Sequence, residues 1–123
     1  QGRVLVMDDE EEICRLLERM LAHLGYRSAF AQSGDEAVKS YQSALAEDPF
    51  DVVVLDLTVP RGMGGAQTLN ALRELDLEVC AVVSSGYSND PVIARFEEHG
   101  FRGVVRKPYV IDQMAEALVM ALN

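Results

Sequence analysis

The chain has 123 residues, 49% apolar and 25% charged, which is enough to bury one core, too short for two ordinary domains and unlike a disordered chain. Twenty acidic against eleven basic residues leave a net charge of −9, which repels nucleic-acid phosphates and anionic lipid, so nucleic-acid binding by this domain is not expected. No apolar run approaches the ~20 residues that span a bilayer and no basic-then-apolar leader opens the chain, so the expected setting is the cytoplasm, without membrane contact.

Arg3 to Met7 is a short apolar, β-branched run that predicts a strand. Glu11 to Leu24 follows with Ile13, Leu16, Leu17, Met20, Leu21 and Leu24 at helical spacing, and Gly25 is a C-terminal stop. Tyr26 to Ala31 reads as extended, and Ser33 as the N-cap of a helix running to about Ala46. After Pro49 and Phe50, Asp51 to Leu57 has VVVL at its centre, the continuous apolar run of a strand covered on both faces.

Pro60 to Gly65 is a glycine-rich loop, Ala66 to Leu75 a helix and Glu78 to Ser84 another apolar strand. Asp90 to His99 is expected to be helical, with Asp90 as cap and Pro91 at the first position, where a missing N–H costs nothing. Gly103 to Arg106 is a last short strand, and Val110 to Leu122 a helix with Ile111, Met114, Ala115, Leu118 and Leu122 inward. Five strands alternating with five helices predict an α/β fold, a parallel sheet with helices on both faces, over residues 1–123 as a single domain. The abrupt start and the end just past a helix are what an excised module would show. Cys14 and Cys80 have neither CxxC spacing nor a nearby His, so both are expected to be reduced, mostly buried thiols.

Groups at the carboxyl ends of parallel strands collect in one crevice. Here the first strand ends in Asp8 and Asp9, the third in Asp56, the fourth in Ser84 and Ser85, and the fifth in Lys107 before Pro108. Taken singly, each has a plainer reading: acids favour a helix N-terminus, Asp56 could form a turn, Lys107-Pro108 could end a strand, and the serines could be loop residues. Their joint arrival at four strand ends favours a site. Two carboxylates ~4 Å apart repel by about 4 kcal/mol at an effective dielectric near 20, so three together call for a cation. An all-oxygen donor set with room for water suits Mg²⁺ better than Zn²⁺. The ion and Lys107 together suit a phosphoryl group, with Asp56 as its nucleophile and Ser85 as a hydrogen-bond donor to it. Gly62, Gly64 and Gly65 are too loosely spaced for a nucleotide-binding loop.

The segments VLVMDDE, VVVLDLTVPRGMGG, VVSSGY and VVRKPY resemble, in order and spacing, the receiver domains of two-component response regulators and hybrid histidine kinases over nearly the whole chain. The resemblance implies a flavodoxin-like doubly wound (βα)5 fold with strand order 2-1-3-4-5. It implies that Asp9 binds Mg²⁺ directly, that Asp8 acts largely through metal-bound water, and that Asp56 is both ligand and phosphoacceptor. The backbone carbonyl of Thr58 would complete the protein ligands. Ser85, 22 residues before Lys107, takes the family's hydroxyl position in preference to Ser84, and Lys107-Pro108 matches the family's lysine and its cis peptide. The phosphoryl donor would be the phosphohistidine of a histidine kinase, in cis or in trans, docked against the first helix and the Pro108 loop; a histidine phosphotransfer domain is a further partner.

The domain would promote its own phosphorylation and dephosphorylation, with Thr58 and Tyr87 tuning the rate. Phosphorylation would move the loop and helix after the fourth strand and alter the face made by the fourth helix, fifth strand and fifth helix. Two departures stand out. The aromatic switch residue usual three positions before the lysine is Val104, and PRGMGG carries an extra residue that resembles hybrid sensor kinases, which makes a hybrid-kinase fragment the expected context. The rival readings are a phosphorylation-silent pseudo-receiver and a haloacid-dehalogenase-type phosphatase, to which Asp56-Leu57-Thr58-Val59 bears a superficial likeness. A flavodoxin-like flavin binder is disfavoured because acids follow the first strand.

Overall fold

Runs such as VLVM and VVVL have no polar side, so strands built from them need cover on both faces. The computed structural model, which describes residues 2–57, 62–86 and 91–123, provides it. In chain order the elements are β1 (Arg3–Met7), α1 (Glu11–His23), β2 (Arg27–Ala31), α2 (Gly34–Leu45), β3 (Val52–Asp56), α3 (Gly65–Leu75), β4 (Ala81–Ser85), α4 (Pro91–Ala94), β5 (Gly103–Arg106) and α5 (Ile111–Leu122). The strands are parallel and ordered β2-β1-β3-β4-β5, the flavodoxin-like doubly wound arrangement. Strand alternation divides the core. Leu5, Met7, Val53, Leu55 and Val83 pack with α2, α3 and α4, while Val4, Val6, Val52, Val54 and Val82 pack with α1 and α5.

Local chemistry sets the element ends. Ser33 caps α2 by accepting from Glu36 N at 3.2 Å. Gly25, at φ +93°, closes α1: its N–H donates to Ala22 O and the N–H of Tyr26 to Leu21 O, a pattern that satisfies carbonyls left over at the helix end.

Three expectations need correction. β4 begins at Ala81 rather than Glu78, because Val79 N turns back to Asp76 O and the ladder with β3 starts at Val53 opposite Ala81. The expected helix to His99 stops at Ala94: residues 95–100 tighten into turns with bonds from Glu98 N to Arg95 O and from His99 N to Phe96 O, ending at Gly100 with φ +95°. Its expected cap, Asp90, lies outside the described residues. In α5, Met114 and Leu118 are buried, but Ala117 and Ala121 are buried too, whereas Leu122 is exposed. Alanine lets α5 sit close to β5, where a Cβ on Gly103 would be 3.2 Å from Ala117 O, and this rotates the inward stripe away from Leu122. Cys80 is buried, Cys14 is half-buried, and both are free thiols. Among the described residues no helix is long and apolar enough to cross a membrane.

Candidate functional site

The carboxyl ends of β1, β3, β4 and β5 bring most of the expected residues together. Asp8, just past β1, is fixed from both sides: its N–H donates to Ala31 O at 3.0 Å and its Oδ1 accepts from Glu10 N at 2.9 Å. It is wholly buried, and Asp56, the last residue of β3, is 3% exposed. Asp9 is half-buried beside them. One carboxylate oxygen from each of the three lies within 4.8 Å of the others.

Lys107 reaches this cluster from the end of β5. Its Nζ stands 3.0 Å from Asp56 Oδ2 and 3.1 Å from Asp8 Oδ2. Burial pushes the ammonium down, yet the two carboxylates outweigh it, Asp56 most, and hold Lys107 above the usual lysine range. Ser85 is buried at the end of β4, and its carbonyl accepts from Lys107 N at 3.1 Å. The Lys107-Pro108 peptide is cis, as expected. Thr58 and Tyr87 lie outside the described residues.

This donor set fits a hard divalent cation. Among the described residues the candidate ligand atoms are carboxylate oxygens, and Asp8 Oδ2, although buried, makes no directed hydrogen bond there beyond its approach to Lys107. Asp8, Asp9 and Asp56 could hold such an ion, and together they carry three formal negative charges against, among the described residues, the Lys107 ammonium.

Two contacts beside the site were not foreseen from the sequence. Cys14 on α1 donates its thiol to Asp8 O at 3.5 Å, and burial, then Asp8 and Asp9, push that thiol up to about 11. Ser84, the lesser of the two serines, shares a buried hydrogen bond with the Tyr109 hydroxyl. Strand alternation, which turns Ser84 to the side of Val82, was the available signal for the second. Nothing in the spacing marked Cys14.

The family model of the response regulator receiver domain matches residues 4–119. The chain belongs to that family. Accepting a phosphoryl group is what receiver domains do, working with histidine kinases or phosphotransfer proteins. Chemotaxis protein CheY of Bacillus subtilis is 25% identical over 122 residues, covering 98% of each chain. The transcriptional regulatory protein KdpE of Mycobacterium tuberculosis is 37% identical over 121 residues, 98% of this receiver and 50% of that protein. The receiver spans 52%, 24% and 49% of the regulators YkoG, HoxA and PrrA, so it corresponds to one part of such proteins.

Among solved structures, a receiver domain from Clostridium thermocellum superposes with TM-score 0.87 at 23% identity, covering 100% of this chain and 95% of that one. A chain of the CheX-CheY-BeF3-Mg²⁺ complex of Borrelia burgdorferi gives 0.86 at 23% identity, covering 96% of this chain and 87% of that one. These likenesses establish the fold. The haloacid-dehalogenase and flavin-binding readings find no support beside the family match.

Proposed function

We propose that this receiver takes a phosphoryl group from the phosphohistidine of a histidine kinase onto Asp56, with Mg²⁺ held by Asp8, Asp9 and Asp56 and the backbone carbonyl of Thr58. The observation that carries this reading is Lys107 Nζ set 3.0 Å from Asp56 Oδ2 inside a cluster of three carboxylates. Bound there, Mg²⁺ would supply positive charge to the oxygens of the group in transfer.

The chain's own residues account for the other steps. An Asp56 carboxylate oxygen attacks phosphorus, the bond from phosphorus to the histidine nitrogen breaks, and the imidazole leaves with the electron pair. Lys107, already at Asp56, pairs with a phosphoryl oxygen, and Ser85 donates its hydroxyl to another. Attack by water on phosphorus later breaks the bond from phosphorus to the Asp56 oxygen, releasing inorganic phosphate and returning the carboxylate. The acyl phosphate adds negative charge at the ends of β3 and β4, and this biases the segment between β4 and β5 and with it the α4–β5–α5 face. Val104, half-buried against the α2–α4 side of the core, replaces the usual aromatic switch on that face.

We place the domain, over residues 1–123, in the cytoplasm, free of direct nucleic-acid and membrane contact and served by a kinase in cis or in trans or by a histidine phosphotransfer domain. The PRGMGG loop favours a hybrid sensor kinase as parent. The transcriptional regulators among its relatives support a second reading, a regulator with an output domain.

Incubation with acetyl phosphate and Mg²⁺, followed by intact mass spectrometry, tests the proposal. The expected result is a gain of one phosphoryl group that disappears with EDTA and in Asp56→Asn. No gain, together with no binding of beryllofluoride, would make the domain a phosphorylation-silent binding module.

A further inference from the structure

Lys107 is a long, flexible side chain whose ammonium must meet two carboxylates at about 3 Å, and holding it there costs rotamer freedom and partial desolvation. The regular ladder does not reach it. The last β4–β5 register pair is Ser85 opposite Arg106, after which the backbone turns through the Lys107-Pro108 peptide. Lys107 itself is held there by its backbone N–H, and the next anchored residue is Tyr109, whose ring is buried in the α1/α5 core with Val82, Val105 and Met114 and whose hydroxyl is bonded to Ser84 Oγ.

Ser84 is well placed to transmit that anchorage. It stands opposite Asp56 in the β3–β4 register, and its carbonyl accepts from Leu57 N at 2.9 Å. Its neighbour Ser85 accepts from Lys107 N. One wholly buried residue thus touches the chain just after Asp56 through its backbone and the loop just after Lys107 through its side chain.

We propose that the Ser84–Tyr109 hydroxyl pair is a brace that positions Lys107 against Asp56 and Asp8. Both are positioning residues, acting through Lys107 and not on the phosphoryl group. A buried tyrosine satisfied by a convenient serine is the plainer account, and the two differ in what happens to Lys107. Without either hydroxyl the partner is left buried and unbonded, and the loop after Lys107 loses its side-chain tether while the Lys107 N–H to Ser85 O bond remains. Burial, the main influence on Tyr109, pushes its phenol up to about 12, so the hydroxyl keeps its proton at neutral pH.

The proposal rests on the phosphoryl-accepting reading for its consequence, although not for the geometry. The test uses the whole chain with Tyr109→Phe, Ser84→Ala and the double variant, each shown by thermal melting to be folded. In unliganded protein the side-chain ammonium signal of Lys107, followed by ¹⁵N NMR, is expected to be protected in the parent and broadened or lost in both single variants. With Mg²⁺ present, beryllofluoride affinity should fall about three- to tenfold in each, the scale of one hydrogen bond, with the double variant no worse than the weaker single. Affinity for Mg²⁺ alone should be unchanged or higher. An unaltered Lys107 signal in both variants overturns the brace. If the parent binds no beryllofluoride, the phosphoryl reading fails, and the Lys107 signal still decides whether the brace exists.

Discussion

Asp9 is the carboxylate of the site that has no ion pair among the described residues, because Lys107 is engaged by Asp8 and Asp56. A half-buried charge beside two like charges is a local cost to folding that a cation would remove. Asp9→Asn keeps the shape and deletes the charge. In EDTA the variant should therefore melt about 4 °C higher, the shift given by about 1 kcal/mol in a domain near this size. The parent should gain stability as Mg²⁺ is added and Asp9→Asn much less, as scanning calorimetry would read. A variant that melts lower in EDTA, or that gains as much from Mg²⁺ as the parent, would show that Asp9 is not a ligand held in repulsion. Placement was legible at single residues: Asp8, Asp9, Asp56, Ser85 and Lys107 stand at or just past strand ends, which are readable, and parallel strands gather them. The Ser84–Tyr109 bond was not, since it depends on where a loop carries a side chain 25 residues distant.

At the scale of elements, α3 is set against the end of β3 more closely than any side chain permits. A Cβ on Gly65 would lie 2.8 Å from Asp56 O, and one on Gly64 2.7 Å from Leu57 O. Gly64 and Gly65 of PRGMGG therefore serve contact between backbones, a role that their spacing did not disclose. Replacing Gly65 by alanine gains up to about 1 kcal/mol from a stiffer unfolded chain. The contact with fixed backbone loses about 1–3 kcal/mol, so crowding wins. Gly65→Ala should lower the urea midpoint and, by pushing on Asp56, slow phosphorylation; an equal or higher midpoint would mean that α3 slides away freely. The elements themselves were legible where one strong period or cap governed them, as in α1 with its Gly25 stop and α2 with its Ser33 cap. Element ends and faces were not legible where tertiary contact chose between near-equal options. Residues 95–100 prefer turns closed by Gly100, and α5 buries Ala121 instead of Leu122 because its alanines approach β5.

Across the whole molecule, neutral ionisable groups are buried on both sides of the sheet. Tyr109 and Ser84 lie toward α1 and α5, while Tyr41 lies on the other side, where its hydroxyl donates to Asp76 Oδ2 at 2.7 Å. Burial is the first cause in each case: Tyr109 rises to about 12, Tyr41 rises still further, helped by Asp76, and the Cys14 thiol near the acid cluster rises to about 11. The unfolded chain releases a thiol proton near 9 and tyrosine protons near 10. The folded chain therefore binds more protons than the unfolded chain above these values, and stability falls as pH rises. Between pH 10 and about 12 Tyr109 contributes a slope of up to about 1.4 kcal/mol per pH unit, fully present as stability below 10 and gone above 12. Urea unfolding measured at intervals from pH 8 to 12 should show this decline, and Tyr109→Phe, with no proton to release, should decline less steeply within that window. Parallel slopes would mean that the phenol ionises as readily in the folded chain as in the unfolded one, which its burial beneath α5 does not allow.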